Sequence, residues 1–197
     1  VFLVRFLFRL FRRLAWWQQL GAVAVTPVLA LNLAVAFVGA SAIFPLSPFY
    51  LPQKWAALKA YGAHRPGCLF SGHDNLAAIT DRAERDAGLP RGLMRAVVEV
   101  ESDSRPHRIS WAGAMGPAQL MPGTAAMLKV RDPFDPDESI AAGARYLASC
   151  LRRTGGDVKL AVASYNAGPG AVNGAVPQNG QTELYVARVM QRFNARD

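Results

Sequence analysis

Charge is missing from a long part of this 197-residue chain: residues 14–53 contain no Asp, Glu, Lys or Arg, and no acid precedes Asp74. A globular surface does not tolerate so long an uncharged run, so the chain divides into an apolar head and a mixed, polar body. Cysteine is scarce too. Cys68 and Cys150 are too few for a disulfide framework, and their spacing fits no metal site. In an exported body, one Cys68–Cys150 disulfide and two free thiols are both open readings. No stretch alternates in the manner of a strand, which makes the fold class mostly α. No internal repeat occurs, which excludes a solenoid. Basic and aromatic residues are not interleaved, so nucleic acid is not an expected partner.

What charge there is leans positive. The net charge is +8, and Arg5, Arg9, Arg12 and Arg13 carry half of it. The body therefore keeps about +4, which suits an acidic polymer and equally suits a solvated surface that steers nothing. The four arginines fall on one face of a helix over residues 1–14, with Phe and Leu on the others, a pattern suited to a bilayer interface. Residues 20–44 follow, apolar or glycine except at Thr26, Pro27, Asn32 and Ser41. A bilayer needs about 20 such residues and a signal-peptide core only about 7–15, so length favours a retained transmembrane helix. Ala40-Ser41-Ala42 has the small-x-small form of a cleavage site, and a cleaved signal is the competing reading. In both, the arginines hold the N-terminus in the cytoplasm and the body is exported. The expected division is an anchor or signal over 1–44, a Pro- and Gly-containing linker over 45–71 with one short helix near 54–61, and a globular domain over 72–197.

The domain reads as a string of short helices. Asp74 is placed to cap the first, which carries Leu76, Ile79 and Ala83 inward and stops at Gly88. Pro90 opens a second that runs to about Ser102. Pro122 and Thr124 begin a short third. Asp135-Pro136-Asp137-Glu138 is a cap, an N1 proline and an acidic third position; the helix it starts buries Ile140, Ala144, Leu147 and Leu151. Asp157 caps the next. The last begins near Thr182 and buries Val186, Val189, Met190 and Phe193. Residues 103–120 are irregular, with room for a small hairpin.

The second helix carries the residue of most interest. Leu93, Met94, Val97 and Val100 form an apolar stripe, and Glu101 lies on the same side, four residues past Val97. Glu99 points to the opposite side. An acid at the end of an apolar stripe is desolvated, and desolvation favours its protonated form, as a general acid requires. The plainer reading is a helix-end carboxylate paired with an arginine.

Two further stretches complete a pattern. Glu101-Ser102 is followed by Gly113-Ala-Met-Gly-Pro-Ala-Gln-Leu-Met-Pro122 and then by Tyr165-Asn166-Ala167-Gly168. Over about residues 72–194 this resembles the catalytic domain of the soluble lytic transglycosylases, a lysozyme-like helical fold related to goose-type lysozymes. The resemblance implies a lysozyme-like domain behind an N-terminal transmembrane helix. It makes Glu101 the catalytic acid and base, and brings the Tyr165 hydroxyl close to it. It places Ser110, Gln119, Met121, Tyr146, Asn166 and Gln181 along the glycan-binding groove. Tyr146 and Tyr165 also read as core aromatics, and Gln119 as a loop-tying amide. Where the family has Gly-Leu-Met-Gln, this chain has Gly116-Pro117-Ala118-Gln119, which either reshapes the cleft or repacks it. Where many relatives have Glu-Thr-x-x-Tyr-Val, it has Gln181-Thr182, then Tyr185-Val186.

No second carboxylate suggests itself. Glu99 faces away, Asp103 follows the helix end, and Asp132, Asp135, Asp137 and Glu138 are turn or cap residues. By resemblance, one acid acts with the substrate's own 2-acetamido group, the exception to the two-carboxylate rule for glycosidases. It splits the bond between N-acetylmuramic acid and N-acetylglucosamine into 1,6-anhydro ends, without metal or cofactor. A hydrolytic muramidase and an inactive glycan-binding module on an anchor are the alternatives. The implied partners are peptidoglycan strands, the membrane and a wall-crossing secretion, conjugation or pilus apparatus. The implied place is the cytoplasmic membrane, single-pass, with the domain on the periplasmic side.

Overall fold

The computed structural model describes residues 5, 11–12, 15–39, 41–64 and 76–195. Most of the basic 1–14 segment, Ala40 of the cleavage-like triplet, Cys68 and Asp74 lie outside these, and so do the expectations that rest on them. Among the described residues the chain is helical, and its only strand-like pairings are the isolated bridges Ile109–Met115 and Met115–Leu120.

The helices are α1 (Trp16–Gly39), α2 (Leu51–Ala63), α3 (Leu76–Ala87), α4 (Leu93–Ser102), α5 (Pro122–Met127), α6 (Pro136–Arg153), α7 (Val158–Ala167) and α8 (Gln181–Asn194). Their starts follow the local chemistry. The Asp135 side chain accepts from Glu138 N at 3.0 Å and the Asp157 side chain from Leu160 N at 3.0 Å, satisfying donors that each first turn would otherwise leave open. Helix α4 starts later than Pro90 because Pro90–Gly92 form a turn, with Leu93 N bonded to Pro90 O at 3.1 Å. Its cap comes from a distance. The buried Glu84 of α3 accepts from Gly92 N at 2.6 Å and Met94 N at 2.9 Å, and a carboxylate also suits the positive end of a helix.

Helix α4 is the centre of the core. Leu93, Met94, Ala96, Val97 and Val98 are all buried, against α3, α6 and α8. Helix α6 buries Ile140, Ala144 and Leu147 as the spacing predicts, and α8 buries Val186 and Val189. Cys150, on the inner face of α6, is fully buried.

The stretch read as a linker is helical for longer than the predicted 54–61, and it is docked. Tyr50 stacks edge-on against Trp111 with ring centroids 5.0 Å apart, Tyr61 against Phe134 at 5.4 Å, and His64 Nδ1 lies 2.7 Å from Asp132 Oδ2. Helix α2 packs in turn on the C-terminal end of α1, where Asn32, Val35 and Gly39 are buried. Gly39 touches the backbone of Ile109: a Cβ there would stand 2.6 Å from the Ile109 carbonyl oxygen, so only glycine fits. The Ser41 hydroxyl donates to the same carbonyl. The other end of α1 stands clear, with Trp16, Trp17, Leu20 and Val23 exposed. By length and composition α1 is apolar enough to cross a bilayer.

A polar knot joins α1 to α2. Lys54 is fully buried and donates to Asn32 Oδ1 at 2.7 Å, while Asn32 Nδ2 donates to Pro45 O at 2.9 Å and Ser47 O at 3.0 Å. Asn32→Leu would strand a buried ammonium. A hydrogen bond to a charged group is worth about 1.5–3 kcal/mol, so the Asn32→Leu chain in detergent is expected to melt several degrees lower. An unchanged melting temperature would count against the knot.

Candidate active site

Glu101 sits in the last turn of α4, where the helix leaves the core. It is partly buried, and its Oε1 accepts from the Tyr185 hydroxyl at 2.7 Å. Burial raises its pKa to about 7; the Tyr185 hydrogen bond and the Arg108 charge pull the other way and only moderate the rise. Because Oε1 is engaged, the other oxygen is left to carry the proton. Glu99 sits differently: its Oε2 is 3.7 Å from Arg192 Nε of α8, and it does not line the groove described next.

Glu101 opens into a groove of about 530 Å³. Its walls come from α4, the loop 103–120, α5, α6, α7 and the start of α8. Ser110, Gln119, Met121, Tyr146, Tyr165, Asn166 and Gln181, the residues singled out in the sequence, all line it. Glu101 is the one acid among its lining residues. Asp103 lies beyond the helix end with φ +56, mostly exposed, its carboxylate 3.9 Å from Arg105.

The loop is tied by its own side chains. Ser110 Oγ accepts from Ala114 N at 3.0 Å and Ala112 N at 3.3 Å, which closes a tight turn and leaves its hydroxyl proton free to donate. Gln119 has φ +48, and its Nε2 donates to Gly116 O at 2.8 Å and Arg108 O at 3.0 Å. The amide thus does tie the loop, and its oxygen is left for a ligand. Asn166 Oδ1 accepts from Thr182 Oγ1 at 3.1 Å, which joins the end of α7 to the first turn of α8.

The tyrosines differ from expectation. The Tyr165 hydroxyl, expected close to the acid, feels the Glu101 charge but donates its proton to Ala118 O at 2.8 Å. The phenol that holds the acid is Tyr185, one turn into α8. The physical reason is packing: α8 lies across α4 and α7, so its inner face reaches Glu101, whereas Tyr165 points toward α6 and the loop. Tyr165 remains in the groove wall, its ring 5.4 Å from that of Tyr146. Burial holds both Tyr165 and Tyr185 well above the usual tyrosine pKa, so neither is a ready source of phenolate. Ala118 is fully buried, and its methyl, the Met94 methyl and the Tyr165 hydroxyl would each stand 2.9 Å from a Cβ at Gly143, so the α6 backbone is close at this point.

Three lining residues with charged or aromatic side chains carried no mark in the sequence reading: Arg108, Trp111 and Tyr50. Trp111 directly follows Ser110, and a tryptophan in a polar loop was the available signal. Tyr50 had none, because it reaches the groove from the segment read as a linker.

The family described as "Transglycosylase SLT domain" matches this chain over residues 78–186. The chain is 38% identical over 102 residues to the "Transglycosylase" of Enterobacteria phage PRD1, an alignment that covers 52% of this chain and 37% of that protein. It is 38% identical over 96 residues to "Membrane-bound lytic murein transglycosylase F 2" of Alkalilimnicola ehrlichii, covering 46% and 21%. The chain thus spans well under half the length of these relatives. Among solved structures, an inactive mutant of lytic transglycosylase Slt from Pseudomonas aeruginosa superposes with a TM-score of 0.54 at 25% identity, over 73% of this chain and 30% of that one.

Proposed function

The chain belongs to the transglycosylase SLT domain family, and from that premise we propose that it is a peptidoglycan lytic transglycosylase with Glu101 as its single catalytic acid and base. The observation that carries this reading is one carboxyl group, its pKa raised by burial to about 7, in a groove lined by no second acid among the described residues. Protonated Glu101 donates to the oxygen linking N-acetylmuramic acid to N-acetylglucosamine. The 2-acetamido oxygen of the substrate steadies C1 as the bond breaks. Glu101, now ionised and held by Tyr185, takes the proton of the 6-hydroxyl, whose oxygen closes on C1. The proton that left Glu101 is thereby restored and no water is consumed. The Ser110 hydroxyl, the Gln119 amide oxygen and Asn166 are placed to hold sugar substituents, with Met121 and Tyr146 as apolar wall and Gln181 at the rim. Tyr165 supports the floor.

The proposed organisation is an anchor or signal over 1–44, a connecting segment over 45–71 and the catalytic domain over 72–197. The membrane-bound names of relatives and the apolar α1 support anchoring. On this reading the domain faces the wall from the outer side of the cytoplasmic membrane and opens the wall locally for a machine that must cross it. The relative from a phage is in keeping with such a role.

The decisive experiment digests purified sacculi with the full chain in detergent and weighs the products. Muropeptide ends one water lighter than hydrolytic ends are expected; ends carrying an added water would make the enzyme a muramidase, and no release would make the groove a binding site. The same assay across pH gives a further expectation. The acid works protonated, so kcat/KM should fall as pH rises through about 7. An alkaline limb near the ordinary glutamate value of about 4.3 would contradict a desolvated acid.

A further inference from the structure

Arg108 touches no reacting atom in the reaction as written and only moderates the Glu101 pKa, yet its position is unusual. Among the described residues, Glu101 and Arg108 are the two charged side chains that line the groove. No carboxylate among the described residues forms an ion pair with the Arg108 guanidinium. Its Nε is buried and has no hydrogen-bond partner. Its backbone is pinned, since Arg108 O accepts from Gly116 N at 2.9 Å and Gln119 Nε2 at 3.0 Å. The residue as a whole is half-buried, and a guanidinium drawn even partly out of water gains from a carboxylate partner. The one acid that shares its groove is kept neutral by burial up to about pH 7 and so neutralises it poorly before catalysis. The groove thus holds a positive charge beside the cleavage point that acts on Glu101 without forming an ion pair with a carboxylate among the described residues.

We propose that Arg108 is a carboxylate-binding residue, which seats the acidic substituent of the muramic-acid sugar next to Glu101 and so sets which of the two sugars lies on each side of it. The proposal rests on the peptidoglycan reading above and deepens it. The two sugars of the strand share the 2-acetamido group and differ in that muramic acid bears a 3-O-lactyl group. That group ends in a free carboxylate where the peptide has been removed. Where the peptide is present the lactyl carboxyl is an amide, and the acid groups are those of the peptide itself. Arginine matches a carboxylate with two parallel donors, and such charge-assisted pairs are among the stronger hydrogen bonds. A neutral, symmetric glycan would give Arg108 nothing to hold.

The test uses the full chain in detergent and three substrates: peptide-free strands, the same strands with their carboxylates converted to amides, and strands that keep their peptides. KM and kcat are measured for the parent, Arg108→Gln and Arg108→Lys. Arg108→Gln is expected to raise KM on carboxylate-bearing strands by about tenfold or more, with Lys recovering part of the loss, because one charge-assisted pair is removed. Amidation should raise KM for the parent and leave the Gln variant unmoved. Whichever native strand loses more in the Gln variant identifies the source, lactyl or peptide. An unchanged KM in Arg108→Gln, or an equal response of parent and variant to amidation, overturns the proposal. So does a variant whose pH limb moves while KM stays fixed, since Arg108 would then act only on Glu101. If the parent opens none of the strands, the proposed function fails instead, and binding of the same strands to parent and Arg108→Gln still decides the carboxylate site.

Discussion

Glu101→Gln is expected to abolish lysis, with a loss of about 10²–10⁴-fold in turnover, the range typical for removing a general acid. The amide keeps the shape of the side chain and can still accept the Tyr185 hydroxyl at Oε1, so near-UV circular dichroism should be unchanged. Stability supplies an independent check. Below about pH 4.5 the carboxyl is neutral in both the folded and the unfolded chain. Between there and about 7 the folded chain keeps a proton that the unfolded chain has released, so this group's contribution is lost as pH rises through about 7. The Gln variant lacks that loss and should melt above the parent at pH 8, with the difference shrinking at pH 4. Glu99→Gln, on a residue paired with Arg192 outside the groove, should change turnover little. Equal loss from both variants would remove Glu101 from the role, and so would a parent that melts alike with Glu101→Gln at every pH.

Tyr185→Phe carries the second-largest expected effect on activity. Its hydroxyl is the only hydrogen bond to the acid found among the described residues, and it holds the carboxylate that forms when the proton is given away. Loss of a hydrogen bond to a charged group is worth about 1.5–3 kcal/mol, or about ten- to a hundredfold in rate. The direction of the pH shift is a sharper signature. That bond lowers the Glu101 pKa, so its removal should move the alkaline limb of kcat/KM to higher pH. Tyr165→Phe should behave otherwise. It takes the donor from the Ala118 carbonyl, deep beside Gly143, and an unsatisfied buried acceptor costs about 1–3 kcal/mol of stability. Its melting temperature should fall and its pH limb stay in place. A moved limb in Tyr165→Phe together with a fixed one in Tyr185→Phe would reverse the two assignments.

Much of this molecule is legible locally. The Asp135 and Asp157 caps, the inner faces of α6 and α8, and the placing of Glu101 at the end of an apolar stripe all follow from residues three or four apart. Helical geometry alone brings such residues together. The groove residues Ser110, Gln119, Met121, Asn166 and Gln181 were found by motif, and the structure brings them to one groove. The Tyr165 hydroxyl was given to the acid because its motif is more conspicuous than Tyr185, eighty-four residues from its partner in the chain.

The sequence alone settled the helical class, the division into an apolar head and a polar body, and the candidate acid with most of its groove, because composition and helical period are properties of neighbouring residues. Tertiary structure decided which phenol bonds Glu101, that Arg108 lines the groove without an ion pair, that Asn32 and Lys54 join α1 to α2, and that Gly39 seats α1 on the loop carrying Ser110. Those contacts join segments far apart in the chain. They depend on how helices cross and how closely their backbones approach, and no local pattern of residues encodes either.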